Sequence, residues 1–435
     1  MRPLFSALFF VDRLVFLNHL ILASLLVLTS IGVYADSGAG DEPQLTALSF
    51  DAALDLAERN TPLLAAQNEK IAAAQAAAIP AAALPDPKLA LGVENLPIAG
   101  SERGQLNGDS MTMQKIGLLQ EFPAAAKRAA RAEIAIAATE RVHAERSIAR
   151  QKVRAETAQA WLQRFYLEQQ VALLTTLTQE NQLLGSAVQA RVASGNAKAV
   201  DALLPQQETL SLADRRDVLQ QQIDGAKALL KQWLGDAAYL PLGGVAPPLD
   251  PDIAALNRHV HKHPELVAYG PMTAQAEAEL REAQAQKQSD WSVELDYQRR
   301  GLYPDMVSLQ FTYALPVSTA TRQTPNIVAK QHALAQLDYE RESMLREHLV
   351  QLEVDGAAYR SLQQQLQRVD GASLPLAQQK VDLSMASYRA GQGDLASVLA
   401  ARRELLELKI RRLDLFSQQA QLSAKLHFAY EEIGQ

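Results

Sequence analysis

Three histidines at alternate positions, His259, His261 and His263, form the cluster of this sequence that could bind a metal ion. In a helix His259 and His263 lie on the same face, where two imidazoles can chelate a transition metal, and His261 lies on another side. The alternative interpretation is a solvated helix start before Pro264, because the three histidines lack a carboxylate or thiolate partner in this pattern. The sequence therefore offers candidate ligands but no firm metal site.

Other reactive patterns are few. Met111 and Met113 suit a soft metal, but residues two apart on a strand share one face, which favours apolar packing or lipid contact. The sequence contains no Gly-x-x-x-x-Gly-Lys-Ser/Thr phosphate loop, no Gly-x-Ser-x-Gly elbow, no His-Glu-x-x-His pair and no cysteine. We therefore expect a protein that is not an enzyme and needs no cofactor.

Composition narrows the class of protein further. The formal net charge is −7 and the pI is about 5.7, so the basic surface that nucleic-acid binding requires is missing. Aromatic residues make up only 6% of the chain, while Ala, Leu, Gln and Glu are abundant, which is typical of long helices packed side by side. We exclude nucleic acid as a partner.

The N-terminus has the pattern of an export signal. Arg2 and Arg13 flank its start, and an apolar run follows up to the small residue Ala35. We predict a cleavable signal peptide over residues 1–35, with cleavage before Asp36. An uncleaved membrane anchor is the alternative, because the apolar run approaches spanning length.

The remaining chain contains the same order of features twice. Aligning Gly195 with Gly391 places a glycine turn between two long helical segments in each half. We predict a first structural repeat over residues 36–240, a Pro/Gly linker over 241–252 and a second repeat over 253–435. The predicted parts of each repeat are a helix, a β-hairpin and a helical hairpin. The β-hairpins span 88–119 and 291–315, and the helical hairpin tips span 192–201 and 388–397.

The segments predicted as strands alternate apolar and polar residues. Val307, Leu309 and Phe311 share one face of the last strand, and Ser308 and Gln310 share the other. This pattern and length are typical of strands that cross an outer membrane. Four such strands cannot close a barrel, and an open sheet edge in lipid is costly, so we expect copies of the chain to pool their strands.

The helices predicted after each strand pair are unusually long. The segments from about 123 to 194 and from about 326 to 390 each extend on the order of 100 Å at 1.5 Å per residue. Return helices are predicted from about 200 to 233 and from 395 to 433. Their apolar residues follow the spacing of a coiled-coil seam, with Leu212, Leu219 and Ile223 in the first half. Such lengths indicate a coiled-coil tunnel or stalk.

These features resemble the TolC-type outer membrane factor family, also called outer membrane efflux proteins, over essentially the whole mature chain. The resemblance is carried by residues 48–54 with Pro62, by the two strand pairs, and by the tips at 191–195 and 388–391. Within the family, residues 85–89, 95–98 and 111–123 are similar to ducts of heavy-metal resistance exporters of the cobalt-zinc-cadmium and copper/silver type.

The resemblance implies a mainly α fold with a small β part. Long, duplicated coiled-coil hairpins and four transmembrane strands per chain would complete a twelve-stranded barrel and a helical tunnel in a homotrimer. It implies an outer membrane location with a large periplasmic part. It also implies a passive exit duct that exports heavy-metal cations. Its partners would be a periplasmic adaptor (membrane fusion) protein, a proton-driven inner-membrane pump of the resistance-nodulation-division type, and outer membrane lipid.

The resemblance also implies a periplasmic gate at the tips. It places latch residues at Tyr388 and Asp201, beside the turn glycines Gly195 and Gly391. The family's Arg two positions after the second glycine is replaced here by Gly393. Its acidic constriction residues are likewise absent, because the corresponding residues here are Ser397 and Ala400, which makes Asp394 the nearest carboxylate. Two ordinary roles remain open, helix capping for Asp201 and packing between hairpins for Tyr388.

Two alternative functions are kept. A duct for drug efflux or type I protein secretion differs only in partner and cargo. A periplasmic coiled-coil adaptor belongs to another class, but such a protein has one hairpin and compact β domains, whereas this sequence has two hairpins and strands with a lipid-like face.

Overall fold

The computed structural model describes residues 46–430. The predicted signal peptide, residues 1–35, and its cleavage site lie outside the described residues. None of the helices between Thr46 and Tyr430 combines the length and the apolar character needed to cross a membrane.

The first half begins with a capped helix that a proline divides. The hydroxyl of Ser49 accepts a hydrogen bond from the backbone N–H of Ala52, and the helix stops at Asn60, because Pro62 restricts Thr61 to extended backbone. A 3₁₀ turn at Ile79–Ala82 then ends the second helix. The elements of this half are α1 (Phe50–Asn60), α2 (Pro62–Ala78), β1 (Lys88–Glu94), β2 (Met113–Phe122), α3 (Ala125–Ala193) and α4 (Leu204–Leu234).

The second half follows the same order with more interruptions. Its opening helix is predicted to run from about 255 to 288, but it is divided into short pieces around a 3₁₀ turn at Val260–Lys262. A π-helical turn at Val369–Ser373 divides its long helix, where Pro375 has no N–H to continue the helical bonding. The elements are α5 (Ile253–Arg258), α6 (Pro264–Val267), α7 (Tyr269–Ala285), β3 (Trp291–Arg299), β4 (Met306–Tyr313), α8 (Gln323–Arg368), α9 (Leu374–Arg389) and α10 (Leu395–Ala429).

Within residues 46–430, four strands form one antiparallel sheet in the order β1-β2-β3-β4. The pair β2–β3 joins the two halves of the chain, with Ile116 opposite Tyr297. Two strand ends differ from the prediction: β2 continues past Leu119 to Phe122, where the ring stacks on Trp291 at 4.1 Å, and β4 stops at Tyr313. The predicted fold class, mainly α with a small β part, is confirmed.

The two faces of this sheet differ in chemistry. One face presents large apolar side chains to the outside, including Leu91 at 70% and Phe311 at 68% exposure. The opposite face carries ion pairs, in which Lys115 Nζ lies 2.9 Å from carboxylates of both Glu294 and Asp296. The exposed apolar face comprises Leu89, Leu91, Val93, Ile116, Leu118, Trp291, Leu295, Tyr297, Val307, Leu309, Phe311 and Tyr313.

A buried core holds the helices together beside the linker, midway along α3. Trp161 is fully buried, donates its indole N–H to the carbonyl of Leu48 at 3.1 Å, and packs edge-on against Phe50. The guanidinium of Arg164 donates to the carbonyls of Ala238 and Leu240, both at 2.8 Å. These contacts hold the 3₁₀ turn at Gly235–Tyr239 against α3.

The predicted coiled-coil seam is buried in the first half. The seam residues of α4 are Leu212, Leu219, Ile223, Ala226 and Leu230, and all are buried. Of the aligned positions in α10, Leu415 and Leu426 are buried, whereas Leu408, Gln419 and Leu422 are only partly covered. The helical hairpins therefore pack through the predicted positions, more tightly in the first half.

Candidate functional site

Both helical hairpins end in the same type of glycine turn. Gly195 and Gly391 have φ values of 73° and 72°, a backbone conformation that favours glycine, as their turn positions predict. The N–H of Asn196 donates to the carbonyl of Arg191 at 2.8 Å, and that of Gln392 donates to Ser387 at 3.0 Å. This bonding pattern is a Schellman motif, which satisfies the last carbonyls of each helix.

Tyr388 joins the two tips. Its ring is buried in one apolar cluster with Val188 of the first hairpin and Leu395 of the second. The guanidinium carbon of Arg191 lies 4.5 Å from the ring centroid, a cation–π contact across the tips. The hydroxyl of Tyr388 is buried and has no hydrogen-bond partner within residues 46–430. The ring therefore packs within the chain, while its hydroxyl has no hydrogen-bond partner among the described residues.

The two candidate carboxylates of the tips both bond to nearby backbone. Oδ2 of Asp201 accepts from the N–H of Lys198 at 3.1 Å, at the start of a 3₁₀ turn. Oδ1 of Asp394 accepts from the N–H of Ser397 at 2.7 Å and caps α10. Hydrogen bonds from the side chain and the backbone of Ser397 lower the pKa of Asp394 below its usual value. Each carboxylate thus makes a capping contact in the single subunit.

The small residue at Gly393 has a steric reason. A Cβ at this position would lie 2.8 Å from Oγ of Ser387 and 3.3 Å from the backbone nitrogen of Tyr388. A side chain at position 393 would require the Ser387 hydroxyl to move and the neighbouring backbone to shift by a few tenths of an ångström, so the tip favours glycine there.

The three candidate metal ligands of the sequence are not brought together. The helical interpretation of their segment is wrong, because α5 ends at Arg258 and His263 adopts extended backbone before Pro264. The rings of His259 and His261 lie 6.3 Å apart, and neither joins a cluster of ligating groups in the part of the chain that the structure describes.

His263 instead meets two residues that the sequence pattern did not suggest as ligands. Its ring lies 3.9 Å from that of His348 in α8, and Glu265 lies beside both. Burial and the neighbouring His348 lower the pKa of His263 to about 4, so its imidazole is neutral at neutral pH. Glu265 directly follows Pro264, but nothing in the sequence pattern marked it as a ligand. His348 had no local signal, because it lies in another helix.

No protein-family model and no curated protein sequence matches the chain. Solved structures match most of it, among them that of CusC, which concerns folding and transmembrane channel formation, with a TM-score of 0.72 at 16% identity over 88% of this chain and 91% of that one. A membrane protein from Pseudomonas aeruginosa gives 0.74 at 18% identity over 88% and 90%. The outer membrane protein VceC from Vibrio cholerae gives 0.70 at 18% identity over 88% and 95%. The chain therefore has the fold of outer membrane channel proteins.

Proposed function

We propose that the protein is one subunit of an outer membrane exit duct in a tripartite efflux system. In this proposal a signal peptide over residues 1–35 directs export, and three copies join their sheets into one twelve-stranded barrel. The paired helical hairpins continue the barrel as a periplasmic tunnel. A periplasmic adaptor docks on the tips at 192–201 and 388–397 and connects the duct to an inner-membrane pump of the resistance-nodulation-division type.

The observation that carries the proposal is the two-sided sheet. In water, a sheet face with Leu91, Leu309 and Phe311 exposed would be an aggregation hazard, whereas in a bilayer it is the surface that lipid requires. The polar face with Lys115 suits a water-filled lumen. Because β1 and β4 leave backbone groups unpaired at the sheet edges, other copies must cover them in lipid.

The helical hairpins support assembly of several copies. Their surfaces expose large apolar residues, including Leu183 at 74%, Leu210 at 67% and Leu383 at 72%. Such residues at helical spacing are typical of seams that neighbouring helices cover. A trimer would place these seams between subunits of the tunnel.

The proposed cargo is a heavy-metal cation. This part of the proposal rests on the similarity of residues 85–89, 95–98 and 111–123 to ducts of metal exporters. The lumen-facing cluster is compatible with it, because Lys115 is surrounded by Glu94, Glu294 and Asp296, which leaves an excess of negative charge. The alternative cargoes, drugs or secreted proteins, would use the same fold.

The location and sidedness of the sheet can be tested by paired variants on β4. Leu309 lies on the apolar face, and its neighbour Gln310 lies on the polar face. If the apolar face contacts lipid, Leu309→Arg costs about 2–4 kcal/mol near the bilayer midplane, whereas Gln310→Arg is tolerated.

The measurement is the amount of heat-modifiable oligomer in the outer membrane fraction of a bacterial host. We expect the wild type and Gln310→Arg to run as a trimer when unheated, and Leu309→Arg to be depleted. Recovery of the wild type as a water-soluble monomer in the periplasm would reject the duct and favour the adaptor.

Cargo is tested by deleting the gene in its own host. Increased sensitivity to cobalt, zinc, cadmium, copper or silver, with unchanged sensitivity to antibiotics, supports the metal duct. Sensitivity to antibiotics alone, or loss of a secreted protein, would replace the metal cargo by one of the alternatives while leaving the duct in place.

A further inference from the structure

We infer that His263, Glu265 and His348 form a binding site for a divalent transition-metal ion such as Zn²⁺. The site joins the start of α6 to the middle of α8, outside the tips and the sheet. It goes beyond the proposed duct function and does not depend on which cargo the duct carries, because it rests on the packing of these three side chains.

The ligand atoms of the three residues already lie close together. One nitrogen or oxygen atom from each residue lies within 4.8 Å of the others. Nε2 of His348 is 3.0 Å from Oε2 of Glu265, and Nδ1 of His263 is 3.9 Å from the same oxygen. Ligand atoms around a tetrahedral Zn²⁺ at about 2.1 Å lie about 3.4 Å from one another. Side-chain rotations that move the ligand atoms by about an ångström would therefore give tetrahedral coordination.

The ligand set selects the class of cation. Two imidazoles and one carboxylate supply three ligands to zinc and leave the fourth position to water or another ligand. Imidazole nitrogen favours Zn²⁺, Ni²⁺, Co²⁺ and Cu²⁺ over Mg²⁺ and Ca²⁺, which prefer sites made of oxygen alone. Nε2 of His348 is available as a ligand, because this atom is buried and has no hydrogen-bond partner among residues 46–430.

Glu265 and the surrounding cleft provide a route for the ion. The side chain of Glu265 is 41% exposed, while those of His263 and His348 are 9% and 14% exposed. The three residues line a cleft of about 360 Å³ that is open to solvent. Lys425, which also lines this cleft, is bound to Asp355 at 2.7 Å, so its charge is compensated.

The bound ion would act as a clamp. The helix α6 is a single short turn, and the imidazoles of His263 and His348 contact each other between it and α8, with ring centroids 3.9 Å apart. Coordination would replace the 3.3 Å hydrogen bond from the N–H of Glu265 to Nδ1 of His263 or leave it in place, depending on which ring nitrogen binds. Either arrangement ties the broken segment to the long helix, and binding to the folded state alone raises stability.

The test uses the full chain, purified in detergent and stripped of metal with a chelator. Titration calorimetry with ZnCl₂ is expected to show one saturable ion per chain in the wild type. His348→Ala and Glu265→Gln are each expected to weaken binding at least about 10-fold, the effect typical of losing a metal ligand or its support. The matched control is the double variant His259→Ala/His261→Ala, which keeps all three proposed ligands and is expected to bind as the wild type does.

A second measurement covers the case in which a variant folds poorly. Zn²⁺ is expected to raise the thermal unfolding midpoint of the wild type and of the control, but not that of Glu265→Gln or His348→Gln, which keep side-chain volume. Absence of saturable binding by the wild type would overturn the inference. Unchanged binding by the ligand variants would do the same, as would loss of binding only in the His259→Ala/His261→Ala control.

Discussion

Gly117 and Asp296 face each other across the pair β2–β3 so closely that a Cβ on Gly117 would lie 2.0 Å from Oδ1 of Asp296. The Asp296 side chain is almost fully buried, and its other oxygen bonds to Lys115 at 2.9 Å. The glycine therefore makes room for the carboxylate that holds Lys115 on the polar face of the sheet.

Gly117→Ala is expected to destabilise the sheet by about 1–3 kcal/mol, because Asp296 must leave its position and its ion pair with Lys115 is disturbed. The control is Gly92→Ala in β1, where a Cβ would meet nothing within 4 Å. The measurement is the temperature at which the proposed oligomer band disappears when samples heated in steps are run on a gel. Equal midpoints for the two variants would show that the close approach has no energetic consequence.

Protonation of Glu58 is expected to lower the stability of the folded chain at acid pH. Burial raises the pKa of Glu58, but hydrogen bonds and charge from Arg150 and Arg154 outweigh it and leave the pKa below its ordinary value. The unfolded chain therefore binds the proton of Glu58 more readily than the folded chain does. The stabilisation of the folded state by ionised Glu58 is present above the unfolded pKa and is lost as pH falls through the folded pKa.

Glu58→Gln is accordingly expected to lower the urea midpoint clearly at about pH 7 and much less at about pH 3.5, on either side of the ordinary Glu pKa. Glu407→Gln serves as the control, because its pair with Arg215 is solvent-exposed and contributes little. A wild-type midpoint that falls with pH in parallel to that of Glu58→Gln would contradict the assignment.

The latching and packing roles of Tyr388 can be tested separately, because they depend on its hydroxyl and its ring, respectively. Tyr388→Phe keeps the buried ring and removes a hydroxyl that has no partner within the described subunit, so subunit stability is expected to change by less than about 1 kcal/mol. If the hydroxyl bonds to a neighbouring subunit at the closed tip, the variant combined with Asp201→Ala leaks, which increases sensitivity to large antibiotics.

Asp201 needs its own control, because its carboxylate also bonds to Lys198. The side-chain carbonyl of Asn can still accept the hydrogen bond from the N–H of Lys198, so Asp201→Asn with Tyr388→Phe separates loss of charge from loss of the backbone contact. Unchanged exclusion of antibiotics in well-expressed Asp201→Ala/Tyr388→Phe cells would remove both residues from the latch.

The tip glycines and a glycine within a helix are expected to respond in opposite directions to the same change. Gly195→Ala has open space for its Cβ but retains φ of 73°, so it is expected to cost about 1 kcal/mol. Gly225→Ala in the exposed interior of α4, also with open space, is expected to stabilise by about 0.5–1 kcal/mol. Urea unfolding of the two variants measures both effects, and a gain for Gly195→Ala would contradict the strain argument.

The parts of the fold that local chemistry determines were predictable. The turn at Gly195, the buried seam through Leu212 and the two-faced alternation around Leu309 each depend on spacing along the chain, which the sequence displays directly. The break before His263 was underestimated, because Pro264 sets the backbone of the preceding residue and several short turns then share the segment.

Contacts between distant segments were not predictable. The partner of His263 is His348, which packing of α6 on α8 brings into place and which no local motif marks. The need for glycine at 117 depends on Asp296 across the strand pair, and the need for glycine at 393 depends on Ser387 of the preceding helix. Such requirements appear only when tertiary distances are known.

The even number of strands in the described chain also constrains how copies could pair in the proposed assembly. With the order β1-β2-β3-β4 and every neighbour antiparallel, the two outermost strands of a copy point in opposite directions. Strand β4 of one copy can therefore pair with β1 of the next copy in the same antiparallel manner, whatever the number of copies in the ring. In the proposed assembly, strand direction therefore leaves the number of copies open, and the curvature of the sheet, together with the diameter of the helical tunnel, would decide where the ring closes.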